Sequence, residues 1–163
     1  LEGGRMNALA SRRRHRLTPG GSEASVFSAY GTPALLLASG LIAAGIGVMI
    51  LFVPTVFYGN YEIDIGANPS LINELKAPAG ALAFAGFLMM AGAFRPGSRA
   101  SSLGIAAAVY LSYGLSRVLS MAVDGAPHDG LVSAAAIELV IGATCFVDLV
   151  RHRKISIAQR SAI

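Results

Sequence analysis

Along this chain polar positions are sparse and fall mostly between four long apolar runs, at 34–57 (ALLLASGLIAAG through VMILFVPTVF), 71–94, 102–123 and 131–150. A helix needs about 20 residues to cross about 30 Å of hydrocarbon, and each run has that length. Gly45, Gly47, Pro54 and Pro78 fall inside the runs. Helices in lipid tolerate such residues because neighbouring helices satisfy the freed backbone groups. A water-soluble four-helix bundle would carry a polar stripe on every helix; the first and fourth runs have none wide enough. The pattern predicts an all-α, integral-membrane four-helix bundle over residues 34–150. A basic, flexible segment 1–33 precedes it and a basic tail 151–163 follows.

Composition points the same way. Of 163 residues 54% are apolar and 13% charged, with a mean hydropathy of +0.60, whereas soluble domains carry about 25% charged residues. A single-domain chain with so few charges cannot hide its apolar residues in one water-surrounded core, which excludes a soluble enzyme, a disordered tail and a nucleic-acid partner. The net charge of +4 is a matter of placement. Arg5, Arg12, Arg13, Arg14 and Arg16 precede the first run, Arg95 and Arg99 join the second to the third, and Arg151, Arg153, Lys154 and Arg160 follow the fourth. The other two loops, GNYEIDIGANPS and DGAPHDG, hold Glu62, Asp64, Asp124 and Asp129 and no Lys or Arg. Basic loops stay on the cytoplasmic side, so both termini are expected in the cytoplasm of a multi-pass protein of the inner (plasma) membrane. The run 34–57 is too long for a cleavable signal. Met6 reads as a natural start, with residues 1–5 a remnant ahead of it.

Ionisable residues at membrane depth mark candidate sites, because each costs about 2.5–3.5 kcal/mol at a helix centre. Arg117 lies six residues inside Val123, about 9 Å deep, and Glu138 seven residues inside Leu131, about 10 Å deep. The third and fourth spans are antiparallel neighbours, so matched depths predict an Arg117–Glu138 ion pair, either a lock between helices or part of a binding site. Ala134 and Gly142 flank Glu138 at four residues and let a helix approach closely. Tyr110, Tyr113, Arg117, Ser120 and Asp124 recur at helical steps and are expected on one inward face. Glu74 and Lys76 lie near the outer surface ahead of Pro78, either joining this cluster or forming an interfacial cap with Asn68-Pro69-Ser70. The candidate ligand-binding or structural cluster is thus Glu74, Lys76, Tyr113, Arg117, Ser120, Asp124 and Glu138. It occupies the outer half alone, which suits an outward pocket better than a channel lined along its length. Asp148 reads as a headgroup-level residue, and the Gly40/Ala44 and Gly104/Ala108 spacings as helix-packing signals.

No catalytic residue, cofactor or metal is expected. His15, His128 and His152 lie outside the runs and cannot pair on a haem; Cys145 stands alone. Asp124, His128 and Asp129 read as an ordinary turn rather than a metal site.

The segments ELKAPAGALAF, FRP, GLSRVLSMAVDGAP and AAAIELVIG resemble a family of small bacterial four-helix membrane proteins known only as a domain of unknown function and placed near the DoxX-like proteins. The resemblance covers about 34–150. It implies motif residues Glu74, Lys76 (where the family pattern often has Arg), Pro78, Gly80, Arg117, Ser120, Asp124, Gly125, Pro127 and Glu138. It supplies architecture and no reaction. The leading expectation is an accessory or structural subunit of a membrane complex, partnered by the bilayer and by other membrane subunits or further copies of itself. The alternatives are binding or transport of a small lipid-soluble or anionic molecule, such as a lipid or quinone, and a quinone-linked redox role by DoxX analogy.

Overall fold

The structure, a computed structural model, describes residues 30–160, so the expected N-terminal segment lies almost wholly outside the described residues. Five α-helices follow one another: α1 Thr32–Phe52, α2 Pro54–Gly59, α3 Pro69–Phe94, α4 Arg99–Asp124 and α5 Asp129–Arg160. All except the short α2 are long and apolar enough to cross a membrane.

Local chemistry sets the boundaries. Pro54 has no N–H to bond the carbonyl four residues back, and Val53 leaves the helical region (φ −134°, ψ 55°). The first apolar run is therefore two helices, not one span of 34–57. Pro78, by contrast, sits within α3 without ending it. Asn68 caps α3, its Oδ1 accepting from the backbone N–H of Ser70 (3.0 Å) and Leu71 (3.3 Å), ahead of Pro69. A single 3-10 turn at Pro96–Ser98 reverses the chain into α4. Gly125, at φ 98°, ends α4 in a conformation that residues with a Cβ avoid. At the start of α5 His128 Nδ1 accepts from Gly130 N–H (3.1 Å). α5 extends beyond the apolar run that ends at Val150, through His152 and into the expected tail as far as Arg160.

α1 packs along α3 and α4 along α5, with α3 against α4 closing the bundle. Small residues let the first pair approach. A Cβ on Gly47 would sit 2.5 Å from Ala83 N, and one on Gly86 2.5 Å from Ala44 N. Gly40 and Ala44 thus lie buried in this seam. The Gly104/Ala108 pair builds no counterpart, since Ala108 is exposed.

The two halves of the bundle differ. Towards the end carrying Arg95 and Arg99, Leu36, Met89, Leu103, Ala106, Cys145 and Leu149 form a packed core. There Thr32 Oγ1 donates to Asp148 Oδ2 at 2.6 Å. Asp148 is only 6% exposed, so its carboxylate faces the inside of the bundle at this end. The opposite end, carrying the acidic loops, is hollow.

Candidate functional site

A cavity of about 280 Å³ occupies the acidic-loop half of the bundle, walled by all four long helices and covered by α2 and the loop after it. Ala43, Ile46 and Ile50 of α1 and Leu75, Pro78, Ala79 and Leu82 of α3 give it an apolar side. Tyr110, Tyr113 and Arg117 of α4 and Glu138 of α5 give it a polar one.

The polar side is built on the α4–α5 seam. A Cβ on Gly114 would meet Leu139 Cγ at 2.8 Å, and one on Gly142 would meet Leu111 Cγ at 2.8 Å. This close approach brings Arg117 Nε to 3.0 Å from Glu138 Oε2 and 3.3 Å from Oε1, the pair that matched depths predict. It is the one salt bridge among the described residues, with the Arg117 side chain 31% and the Glu138 side chain 15% exposed. Glu138 engages Nε alone. The two terminal nitrogens of the guanidinium have no acceptor among the described residues. Tyr110 is satisfied elsewhere, its hydroxyl donating to the Ser39 carbonyl at 2.6 Å and tying α4 to α1 where cavity meets core.

The roof was not legible as a site. Beyond the Pro54 break, Phe57 and Tyr58 of α2 and Tyr61 of the loop line the cavity. Phe57 stacks edge-on with Tyr58 (5.3 Å) and Tyr61 (5.5 Å), and Tyr61 in turn with His128 (6.1 Å), which stands at the start of α5. Burial, reinforced by Tyr113 and opposed by Arg117, pushes the Tyr58 phenol above its ordinary range, so its hydroxyl remains a proton donor. The loop is shaped by Glu62 at φ 59° and by Asp64 Oδ1 accepting from Gly66 N–H at 2.8 Å. The three aromatics of FYGNY, close behind Pro54, were the signal available.

The remaining expected site residues lie elsewhere. Ser120 and Asp124 are exposed and bond each other, Ser120 Oγ donating to Asp124 Oδ2 at 2.9 Å. The polar face of α4 therefore turns inward only as far as Arg117, not along its whole length. Ser120 joins Ser112, Ser116, Tyr113 and Arg117 along a shallow outer groove. Glu74 is exposed and Lys76 half-buried; neither lines the cavity, into which the intervening Leu75 projects.

Residues 32–149 match the family described as Domain of unknown function (DUF4345). No curated protein and no solved structure matches the chain.

Proposed function

The chain belongs to the DUF4345 family, and from that premise we propose that it is a multi-pass membrane protein whose cavity binds a small lipophilic molecule with one polar end. The carrying observation is the cavity itself, an apolar chamber lined in part by Arg117, whose terminal nitrogens have no acceptor among the described residues. Its volume lies near the lower limit of ligand pockets, about 300 Å³. Insertion is supported by the outward-facing apolar residues Leu41, Phe84, Phe87, Leu119, Val140 and Phe146, all exposed on the long helices, a surface that water would disfavour. The eleven Lys and Arg at the termini and the Arg95–Arg99 turn support a cytoplasmic location for that end of the bundle in the plasma membrane. The cavity then lies in the outer half.

Native mass spectrometry of protein released from its own membrane tests the reading. Ala134 lines the cavity, and an Ala134→Trp indole should fill it. Wild type is expected to retain a small molecule that Ala134→Trp loses at equal helicity. Identical small-molecule content in the two proteins removes the reading.

A second reading, an accessory subunit or self-associating protein, is favoured by Ser112, Ser116 and Ser120, exposed at four-residue steps on α4. Such a stripe suits contact with another membrane helix. A Ser116→Cys variant should form a disulfide-linked product in native membranes under mild oxidation. Only unlinked monomer would count against this association.

A further inference from the structure

Resting on the binding reading above, the chemical class of the ligand follows from the charge balance of the cavity wall. The ionisable groups lining it are Arg117, Glu138 and the tyrosines Tyr58, Tyr61, Tyr110 and Tyr113. Tyrosines are neutral near pH 7, and Arg117 and Glu138 cancel across 3.0 Å. Every other lining residue is apolar. A ligand with a net charge would be enclosed here without a counter-charge, and burying an unpaired charge costs far more than burying a dipole that finds a hydrogen bond.

The balance of donors and acceptors narrows the class further. Both Glu138 carboxylate oxygens face Arg117 Nε, at 3.0 and 3.3 Å, and the Ser39 carbonyl takes the Tyr110 hydroxyl. The terminal guanidinium nitrogens carry four N–H donors with no acceptor among the described residues. These are the charged donors of the wall left unengaged, beside tyrosine hydroxyls that are neutral and can both donate and accept, and a carbonyl oxygen is an acceptor that meets them directly.

We propose that the cavity takes a neutral, carbonyl-bearing lipophile. Its oxygen accepts from the terminal N–H groups of Arg117, and its apolar body lies along Ile46, Ile50, Leu82 and Val109. The ion pair then has a defined task. Glu138 neutralises the guanidinium and holds it by Nε, leaving its two-nitrogen edge to the ligand as a charge-assisted donor without attracting anions.

Fluorine NMR titrations on the full chain in lipid nanodiscs, with empty nanodiscs as the partition control, test this with three probes of one shape. They are para-fluoroacetophenone, para-fluorobenzoate and para-fluorotoluene. The ketone is expected to bind saturably and about tenfold more tightly than either of the others, a difference of about 1.4 kcal/mol. In the Arg117→Leu/Glu138→Leu protein, which preserves neutrality, the ketone should fall to the level of the toluene. Tighter binding of benzoate than of ketone would overturn the neutral-ligand inference while leaving the binding reading intact. Equal binding of ketone and toluene by wild type would overturn the role of Arg117. Absence of saturable binding by all three overturns both the inference and the reading beneath it.

Discussion

Arg117 and Glu138 illustrate how much a pair of charges depends on what surrounds it. Each would be costly alone at membrane depth, and together they satisfy one another through a single Nε contact. Removing one partner strands the other, so Arg117→Ala should destabilise the bundle by about 2 kcal/mol, less than a fully buried pair because the guanidinium is partly exposed. Arg117→Leu with Glu138→Leu should cost less than the sum of the single changes. Reversible unfolding in mixed micelles measures the cycle, and strict additivity would mean that the two side chains do not interact. The second buried polar contact behaves differently. Thr32 is fully buried and donates to Asp148; Thr32→Val should leave that carboxylate short of a partner and cost about 1–3 kcal/mol, while Thr32→Ser restores most of it. Their contact was not expected, because Thr32 lies ahead of the first apolar run and Asp148 near the end of the fourth. Hydropathy locates depth along a helix. It carries no information on a contact that two helix ends make across the bundle.

Helix seams decide which of the sequence features acquire structural meaning. α1 and α3 approach through Gly40, Ala44, Gly47 and Gly86, and an added Cβ at Gly47 or Gly86 meets backbone rather than a yielding side chain. Gly86→Ala should therefore push the helices apart at a cost of about 1–3 kcal/mol. Gly45→Ala, one position off the seam with open space around it, should stay within about 0.5 kcal/mol of wild type or gain from helix propensity. Thermal unfolding of the two variants side by side checks this, and equal effects would contradict the seam. The same geometry explains the limits of the reading by depth. Leu75, Pro78, Ala79 and Leu82 recur at the three- and four-residue steps that put them on one face of α3, the cavity face. Glu74 and Lys76 flank Leu75 and point away from it. Their level in the bilayer was legible; their direction around the helix axis was not, because α3 is apolar nearly all round. Arg117 and Glu138 were legible because a short loop makes their helices neighbours and equal depth leaves few other partners. Phe57, Tyr58 and Tyr61 depended on Pro54 breaking the first run, so a chain read as one straight span could not place them over the cavity.

At the scale of the whole molecule, the packed half and the hollow half coincide with the two signs of charge. Leu36, Met89, Leu103 and Cys145 fill the end that carries Arg95 and Arg99, and the cavity lies towards Glu62, Asp64, Asp124 and Asp129. If the basic end faces the cytoplasm, as basic loops do, the cavity is sealed from the cytoplasm by core packing. A ligand would then enter from the lipid or from the outer face. Two cysteine variants decide the orientation, since the native Cys145 is fully buried and should not compete for label. Ala67 and Gly97 are both exposed, in the loop before α3 and in the turn after it, so each can take a thiol without disturbing packing. A membrane-impermeant maleimide added to intact cells should label Ala67→Cys and leave Gly97→Cys unlabelled until the membrane is opened. The reverse result would place the cavity in the cytoplasmic half, and the ligand, whatever its chemistry, would have to arrive from inside the cell.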